Sequence, residues 1–563
     1  MSTQERTAPD GATAHDRPRL RRTGTATQLV VDGEPFPVRG GELGNSSFEH
    51  AFLGDHWTTF QDMALNTVVA PVSWELVEPA EGAFDWWSVD ELLDDARSHG
   101  MRLVLLWFGS WKNSMSSYVP GWVKTDTARF PRARDAHGRA LEILTPFAPA
   151  NRDADARAFA ALMAHLADVD RQHTVVMVQV ENEVGMIPEA RDRCAAAEAA
   201  FAEPLPGGLV AYLDEHLATL APGLREQWAD VVRRRDTGTV DDTGTGVRDD
   251  AAAASVTETW AEVFGAGDGT DELFTAWHLA RYVEAVTAAG KAELDLPMYT
   301  NAALIRASHT PGQYPSGGPL PHLIDVWRAG APSLDFLAPD IYFPDFAGWA
   351  ERYTRGGNPL FVPEALRSVD AAANALYAFG AHEAIGFCVF GVETMEELPA
   401  RLLGGAFDVV RQLTPLLTAH AGRGTTLGLL QPGPEQRAPH RHRLEDVLVE
   451  ATYERVESAS LADGVINESG DRARDTTTLP AGAIVVRTGP DELVLGGIGV
   501  TVTFASHEPA ETVGILSCEE GHFDDGEWHH LRWLNGDQTH QGRHVRLEPG
   551  RMTVQRVRLY RYR

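Results

Sequence analysis

Val178-Gln179-Val180-Glu181-Asn182-Glu183 is the stretch that decides the fold. A valine-rich apolar run, which favours a buried β-strand, changes abruptly into three polar residues. A second run, Leu360-Phe361-Val362-Pro363-Glu364, ends in the same way. The carboxyl ends of the strands form the mouth of a (β/α)8 barrel, and functional side chains lie there. The two runs therefore predict barrel strands that deliver Glu183 and Glu364 to one mouth.

Six further apolar runs have the length and composition of strands, and helical patterns separate most of the eight. The predicted strands are Phe36–Gly40, Thr67–Val72, Arg102–Trp107, Thr174–Val180, Pro297–Thr300, Phe336–Ile341, Leu360–Pro363 and Ile385–Phe390. The predicted helices are Ser88–His99, Arg152–Arg171, Phe274–Ala289 and Asp370–Ala381, the first with a capping box of Ser88 and Glu91. Strands that alternate with helices pair in parallel. The pattern thus predicts a (β/α)8 barrel, with an open doubly wound sheet as the alternative.

Changes in this rhythm divide the chain of 563 residues into three parts. Residues 1–24 lack the apolar core of a signal peptide and predict a disordered leader. Residues 25–428 form the predicted barrel, with a long insertion between strands four and five that contains a flexible loop at 235–255 and helices near 212–220 and 260–264. A basic, proline-rich segment near 432–443 marks the next boundary. From 429 to 563, strand-like runs without helices predict an antiparallel β-sandwich.

The composition disfavours several classes of partner. The formal net charge of −31 would repel nucleic-acid phosphates and an anionic membrane surface. Cys194, Cys388 and Cys518 lie far apart in the sequence, which indicates neither a disulfide framework nor a zinc site. No apolar run is long enough to cross a bilayer. We expect a cytoplasmic protein, and leave association into a homo-oligomer open.

Two carboxylates that converge suit one reaction in particular, the cleavage of a glycosidic bond through a positively charged transition state. One carboxylic acid protonates the leaving oxygen, and a carboxylate attacks the anomeric carbon; in retaining enzymes the two groups lie about 5–5.5 Å apart. Strands four and seven lie nearly opposite each other in a barrel of eight, so Glu183 and Glu364 can converge. We expect no metal or organic cofactor, because two carboxylates complete the reaction.

The residues around both carboxylates resemble those of clan A glycoside hydrolases. Asn182-Glu183 on strand four, with a glutamate on strand seven, is the pattern of that clan, and the stretch 179–183 is similar to family 35 β-galactosidases. Other similar stretches are Gly40-Gly41-Glu42, Trp74-Glu75, Pro79-Ala80-Glu81-Gly82, Phe84-Asp85, Trp107-Phe108-Gly109-Ser110-Trp111-Lys112-Asn113 and Ala338-Pro339-Asp340-Ile341-Tyr342. Together they resemble a bacterial branch, related also to family 42, that carries a C-terminal β-domain. The resemblance implies Glu183 as acid/base, Glu364 as nucleophile and Asn182 as the partner of the sugar 2-hydroxyl.

The third strand departs from this resemblance. Family 35 members usually carry a Pro-Tyr-Ile-Cys-Ala-Glu-Trp-like segment, whereas Leu106-Trp107-Phe108-Gly109-Ser110-Trp111 stands here. We therefore expect a retaining, exo-acting β-glycosidase that acts on a carbohydrate, with a β-galactoside as the first substrate to test. Glucosides, fucosides and galactofuranosides are the alternatives within enzymes. A non-catalytic carbohydrate-binding barrel is the alternative from another class, and the presence of both carboxylates counts against it.

Other side chains near the predicted strand ends are candidates for sugar binding. Glu42 would accept a hydrogen bond from a sugar hydroxyl, with a salt bridge as the alternative. The candidates for presenting aromatic faces to a pyranose ring are Trp74, Trp107, Trp111 and Tyr342, with core packing as the alternative for each. Asn113 would add a polar contact.

Three further residues have weaker assignments. Asn301, near a strand end, is a candidate polar contact of the same kind as Asn113. Glu181 would brace the site through an arginine rather than contact the substrate. Trp528 and Trp533 would permit sugar binding by the C-terminal domain, with packing between domains as the alternative.

Overall fold

The structure is a computed structural model that describes residues 17–238, 256–432, 438–454, 456–460, 475–534 and 536–563. Its strands are β1 (Arg19–Thr23), β2 (Ala26–Val31), β3 (Glu34–Pro35), β4 (Val38–Glu42), β5 (Thr67–Ser73), β6 (Arg102–Lys112), β7 (Arg132–Arg134), β8 (Ala140–Leu144), β9 (Val175–Asn182), β10 (Met298–Ala303), β11 (Phe336–Ile341), β12 (Phe361–Val362), β13 (Glu364–Ala365), β14 (Gly386–Phe390), β15 (Thr426–Leu430), β16 (His440–Leu444), β17 (Val447–Tyr453), β18 (Glu457–Ser460), β19 (Asp475–Thr478), β20 (Gly482–Gly489), β21 (Glu492–Ile498), β22 (Val500–Ser506), β23 (Thr512–Asp524), β24 (Glu527–Trp533), β25 (Val545–Leu547) and β26 (Thr553–Tyr562). Its helices are α1 (His50–Leu53), α2 (Trp57–Asp62), α3 (Trp74–Val77), α4 (Trp87–Ser98), α5 (Gly121–Thr125), α6 (Pro149–Val169), α7 (Ala195–Phe201), α8 (Gly207–Glu215), α9 (Pro222–Gly238), α10 (Trp260–Phe264), α11 (Asp268–Glu293), α12 (Ile324–Gly330), α13 (Phe346–Tyr353), α14 (Ala371–His382) and α15 (Glu397–His420).

Eight parallel strands close into a barrel. Around the ring the order is β4, β5, β6, β9, β10, β11, the split strand β12–β13, and β14, which pairs back with β4. The seventh strand is split at Pro363, which has no N–H for a ladder; β12 pairs with β14 and β13 with β11. Every residue of β5 and β9 is buried, as expected of strands covered on both faces. The predicted (β/α)8 barrel is therefore confirmed, and the open sheet is wrong.

The start of α4 differs from its prediction. The helix begins at Trp87 after Trp86, and no side-chain cap is formed, so Ser88 lies inside the first turn. The ring of Trp86 stacks on Phe84 and on His165, with ring centroids 5.3 Å and 4.7 Å apart. The backbone carbonyl of Trp86 accepts the N–H of Val89. Aromatic packing thus decides where this helix begins, in place of a capping box.

Ordered structure begins earlier in the chain than the predicted leader, residues 1–24, allows. Residues 1–16 lie outside the described residues, but Arg19–Thr23 forms β1, antiparallel to β2. Leu29 and Val31 of β2 pack with Val38, Val104 and other side chains from the interior of the barrel strands. The end of the leader at residue 24 is therefore wrong, because apolar side chains of β2 give this sheet a place in the core.

The insertion between β9 and β10 is helical where it is described. It contains α7 to α10 before the long helix α11, and α10 (Trp260–Phe264) has the predicted bounds. The helix predicted near 212–220 lies earlier, at Gly207–Glu215. Most of the predicted loop, residues 239–255, lies outside the described residues, and residues 235–238 end α9.

Ten of the described C-terminal strands form two antiparallel sheets that face each other, and β18 pairs separately with β19. One has the order β15-β20-β21-β26-β23-β24 and the other β16-β17-β22-β25. Leu495 and Val557 from the first sheet share a buried cluster with Val449 and Val502 from the second, which confirms the sandwich. Its first strand is β15, so the proposed boundary after residue 428 falls inside the sandwich. The basic segment near 432–443 contains β16 rather than a linker alone.

The outer face of the larger sheet packs against the core of the barrel domain. Val494 and Val554, on the outer face of the larger sheet, belong to the main cluster together with Val409 and Leu413 of α15. Trp528 packs partly buried against this cluster, as the packing alternative expected, whereas Trp533 on the same strand is 59% exposed.

Two further features concern cysteines and membranes. The three cysteines are buried and free. Among the described helices, none combines the length and apolar character needed to cross a bilayer.

The contact between α15 and β21 gives a first prediction. A Cβ on Gly496 would lie 2.6 Å from Cγ1 of Val409 and 3.1 Å from Cδ1 of Leu413. Because valine in a helix is rotationally stiff, we expect Gly496→Ala to lower the free energy of unfolding by about 1–3 kcal/mol. Gly269→Ala is the matched control, since nothing lies within 4 Å of that position. Denaturant unfolding measures the free energy of unfolding of both variants. A value for Gly496→Ala equal to that of wild type would contradict this close packing.

Candidate active site

Glu183 and Glu364 lie together at the carboxyl ends of the barrel strands. Glu183 directly follows β9, and Glu364 begins β13 across the mouth. One carboxyl oxygen from each, with one from Asp340 at the end of β11, lie within 4.8 Å of one another. The side chains are buried, at 7% exposure for Glu183 and 4% for Glu364. The structure thus brings together the two carboxylates that the strand pattern selected.

The backbone at the tip of β9 is held in an unusual conformation. Glu181 and Glu183 have φ of 62° and 45°, a region that residues other than glycine enter at a cost of about 1–3 kcal/mol. The N–H of Glu183 donates to Oδ1 of Asn301 at 2.8 Å, and its carbonyl accepts the N–H of Ser114 at 3.1 Å. Neighbouring strands β6 and β10 therefore fix the tip and aim the Glu183 side chain across the mouth.

The tip of β6 contacts the same carboxyl group. Asn113, also at positive φ, donates its side-chain amide to Oε2 of Glu183. Asn113 was predicted to contact the sugar, but it contacts the candidate acid Glu183 instead. Asn301, the other amide candidate, reaches three groups of the site, since it also donates to Asp340 at 2.7 Å and to Glu364 at 3.4 Å.

Hydrogen-bond donors converge on Glu364. Tyr342 donates its hydroxyl to Oε2 at 2.6 Å, and Asn182 donates its amide to Oε1 at 3.4 Å. Lys112 donates to Oδ1 of Asn182 at 3.0 Å, which turns the N–H side of that amide toward Glu364. Together with Asn301, these donors hold a carboxylate in one orientation, as a nucleophile needs.

Burial and negative charge separate Glu183 from an ordinary glutamate. Burial, and then the negative charge of Glu364, raise the pKa of Glu183 to about 7, while Lys112 opposes the shift. Burial and Glu364 also raise the pKa of Asp340 and of Glu42 well above their ordinary values. The cluster therefore keeps protons at a pH where exposed carboxylates have lost theirs.

Glu42 lies at the end of β4 with its carboxyl group fully buried. Among the described residues, no amide, hydroxyl or cationic group donates to either oxygen, no ion pair involves Glu42, and the group that adjoins it is the carboxyl group of Glu364. Oδ1 of Asp340 likewise has no donor within the described chain. Buried acceptors without donors are costly, so these three oxygens suit a ligand that brings hydroxyl groups. The alternative of a salt bridge for Glu42 is not observed.

The three tryptophans proposed for sugar stacking lie in the core. Trp107 is fully buried and donates its indole N–H to Asp155 at 2.8 Å, and Trp74 and Trp111 are equally enclosed. Trp74 is fully buried, packs on Trp107, and donates its indole N–H to Glu78 at 2.7 Å. Trp111 is fully buried edge-to-face against Tyr282 of α11, with ring centroids 4.6 Å apart. Side chains alternate along β6, so Lys112 points into the barrel and Trp111 points out toward the helices. The structure supports core packing for all three, whereas Tyr342 is 36% exposed beside Glu364.

Two residues of the site had no role assigned from the sequence. Asp340 and Lys112 both stand in stretches that carried the family resemblance. The signal that selected Glu183, a charged residue at the end of an apolar strand, was present for Asp340 as well. Lys112 could not be found in this way, because β6 extends five residues beyond the predicted strand end at Trp107.

The same carboxyl cluster has the spacing of a possible cation site. Glu183, Asp340 and Glu364 each offer one oxygen, and oxygen ligands suit hard cations. The expectation that the reaction needs no metal stays a prediction.

Two family models match parts of the chain. Residues 47–232 match the glycoside hydrolase family 42 model, described as Beta-galactosidase. The predicted relation to glycoside hydrolases is confirmed for this segment. It contains β5, β6 and β9, and so includes Asn182 and Glu183. Residues 403–546, which cover most of the sandwich, match a domain of unknown function, DUF5597.

The individual proteins that resemble this chain have low sequence identity to it. A Beta-galactosidase of Xanthomonas manihotis is 27% identical over 166 residues, which is 28% of this chain. The match spans a quarter, 25%, of that protein's length. Among solved structures, the β-galactosidase of the psychrophilic Marinomonas ef1 is 13% identical with a TM-score of 0.44, covering 67% of this chain and 60% of its own. That of Rahnella sp. R3 is 16% identical with a TM-score of 0.43, covering 68% and 58%.

The charge of Glu364 gives a prediction that needs no substrate. In Glu364→Gln the negative charge that raises the pKa of Glu183 is removed, while burial remains. We expect the pKa of Glu183 to fall below about 7. A carbon-13 NMR titration of glutamate-labelled protein measures this, with Glu183→Gln to assign the signal. Glu351→Gln, an exposed change on α13, should leave the value unaltered. An unchanged or raised pKa in Glu364→Gln would contradict the coupling.

Proposed function

We propose that the protein is a retaining, exo-acting β-glycosidase, with β-galactosides as its substrates. The observation that carries this proposal is the close approach of Glu183 and Glu364, whose carboxyl oxygens lie within 4.8 Å. A gap of this size suits direct attack by a carboxylate, whereas inverting enzymes separate the two groups by roughly 6.5–9.5 Å to admit a water. The family 42 match supports the substrate class, although it covers only residues 47–232.

In the first step, Glu183 acts as the general acid. Its pKa of about 7 keeps a proton available near neutral pH, and that proton passes to the glycosidic oxygen as the bond to the anomeric carbon breaks. Oε1 or Oε2 of Glu364 forms a new bond to the anomeric carbon, which gives a covalent glycosyl-enzyme and the free alcohol. The amides of Asn182 and Asn301 keep the attacking carboxylate in place.

In the second step, Glu183 acts as the general base. Its carboxylate takes a proton from a water, the water oxygen bonds to the anomeric carbon, and Glu364 leaves as a carboxylate. Two displacements restore the original configuration of the sugar. The pKa of Glu183 suits this change of role, since Glu364 is an uncharged ester in the intermediate and the loss of its negative charge favours ionisation of Glu183.

The acceptors around the gap support a neutral sugar with several hydroxyl groups. Glu42 and Asp340 have oxygens without a donor, and Asn182 is the residue that the family resemblance pairs with the 2-hydroxyl. The full burial of Glu42 favours a single terminal sugar over the middle of a chain, and so supports exo action. Which hydroxyl configuration fits best decides between galactosides and the alternatives of glucosides, fucosides and galactofuranosides.

Leaving-group dependence separates the roles of the two glutamates. Glu183→Gln should slow hydrolysis of an alkyl or phenyl β-galactoside by about 100- to 10,000-fold, because the departing oxygen then lacks a proton donor. The same variant should form the glycosyl-enzyme from a dinitrophenyl galactoside at nearly the wild-type rate, since that leaving group needs no proton. Glu364→Gln should abolish turnover of both substrates. Pre-steady-state release of the phenol measures each rate.

The control is Glu351→Gln, which changes an exposed glutamate and should behave as wild type. If Glu364→Gln retained wild-type turnover, the nucleophile assignment would be wrong. If the wild-type protein bound galactosides, and the other three sugars, without hydrolysing any of them, the non-catalytic carbohydrate-binding barrel would be the correct alternative.

A further inference from the structure

A second pair of acidic residues lies directly beneath the tip of β9. Glu181 ends the apolar part of β9, and Asp155 lies on α6; both are fully buried. Their carboxyl groups lie side by side, since the N–H of Ser110 donates to an oxygen of each, at 3.0 Å to Asp155 and 3.2 Å to Glu181. Burial, and then the negative charge of Asp155, raise the pKa of Glu181 well above its ordinary value. Glu181 was predicted to contact an arginine. Among the described residues it contacts the carboxyl group of Asp155 instead.

The groups that surround this pair are neutral donors. Asp155 accepts from the indole N–H of Trp107 at 2.8 Å, from the N–H of Ser110 at 3.0 Å, and from the hydroxyl of Tyr282 at 3.4 Å. Glu181 accepts from the N–H of Trp111 at 2.7 Å and of Ser110 at 3.2 Å. Within the described chain no ion pair involves either carboxyl group.

A hydrogen bond between two carboxyl groups requires a proton. Two buried carboxylates without a cation would repel each other, so such a pair retains one proton between them. Asp155 accepts from three donors, at 2.8, 3.0 and 3.4 Å, whereas Glu181 accepts from two, at 2.7 and 3.2 Å, and the second of these is the Ser110 N–H that also reaches Asp155. This difference places the negative charge on Asp155 and the proton on Glu181, which donates to Asp155.

The pair joins the two strand tips that carry the active-site contacts. Ser110 and Trp111, whose N–H groups bind the pair, directly precede Lys112 and Asn113 on β6. Lys112 donates to Asn182, and Asn113 donates to Glu183. Backbone also closes over the pair, because a Cβ on Gly109 would lie 2.6 Å from an oxygen of each carboxyl group. The register of β6 against β9 at the mouth therefore depends on this contact.

We propose that Asp155 and protonated Glu181 are positioning residues, which share one proton and hold the tips of β6 and β9 so that Asn113 and Asn182 meet Glu183 and Glu364. Neither residue contacts the substrate. The activity readout of this inference rests on the proposed glycosidase function, whereas its stability readout does not.

Matched amide variants test where the proton lies. Glu181→Gln replaces the protonated carboxyl with an amide that still donates to Asp155. It gives up only the 3.2 Å contact with the Ser110 N–H, which Asp155 also accepts at 3.0 Å, so the contact between the two side chains survives. Asp155→Asn makes the same chemical change at the acceptor, and its NH2 group then faces donors from Trp107 or Ser110. Asp153→Asn, two residues away on the exposed side of α6, is the control.

The kcat for hydrolysis of an aryl β-galactoside should differ among the three variants. We expect Glu181→Gln and Asp153→Asn to keep kcat within about threefold of wild type, and Asp155→Asn to lose about tenfold or more in kcat with little change in KM, because a displaced tip misplaces the acid more than it weakens binding. Equal kcat values for Glu181→Gln and Asp155→Asn, or a reversed ranking, would overturn the assignment.

Stability as a function of pH tests the shared proton without a substrate. Unfolding releases the proton of the pair above about pH 4.3, the ordinary pKa of glutamate, so wild-type stability falls with rising pH as long as the folded pair retains it. Glu181→Gln has no such proton. Its melting temperature relative to wild type should therefore rise steadily between about pH 5 and 8, whereas Asp153→Asn should show a constant difference.

A constant difference for Glu181→Gln across this range would overturn the shared proton, whatever the activities. If Asp155→Asn does not fold, this pH comparison alone decides, because it uses only Glu181→Gln and the control. If the wild-type protein shows no glycosidase activity but the melting difference still grows with pH, the proposed function fails and the acid pair stands.

Discussion

The structure depends on the burial of four acidic side chains beside Lys112 in one barrel mouth. Parallel strands of a closed barrel all end on the same side, so residues at strand ends are forced together however far apart they are in sequence. Glu42, Glu183, Asp340 and Glu364 meet in this way, and Lys112 is the cation among them. Water is largely excluded, so these like charges cannot all be present at once, and some groups must stay protonated. That constraint provides an acid and a carboxylate a few ångströms apart.

The buried carboxyl groups are held in place by rigid neighbouring residues. Amide and hydroxyl donors from four different strand ends fix the orientation of Glu364 and Glu183, and positive φ at residues 181 and 183 would relax if these contacts were lost. Beneath them, Asp155 and Glu181 join β6 to β9 in the same low-dielectric environment. The protein thus stores like-charge repulsion and backbone strain at the mouth, and the packed barrel and its sandwich oppose both.

Much of this arrangement could be predicted from the sequence, because apolar strands and their polar ends are local signals. All eight barrel strands were found, and with them the meeting of Glu183 and Glu364. Contacts that depend on the exact length of a strand, or on which helix packs beside it, could not be predicted from the sequence. The extension of β6 to Lys112 decides that Trp111 faces the helices, and no local pattern shows it. Similarly, the partner of Glu181 comes from α6, and only the packed fold shows that it is Asp155.

The most direct test of the central claim is the configuration of the first sugar released from an aryl β-glycoside, followed by proton NMR before mutarotation. Two glutamates that face each other across a gap too small for an intervening water require two displacements. The account predicts that the β-anomer appears first and the α-anomer only later, as the sugar equilibrates. Initial release of the α-anomer would contradict it, because a single displacement by water would then be the mechanism.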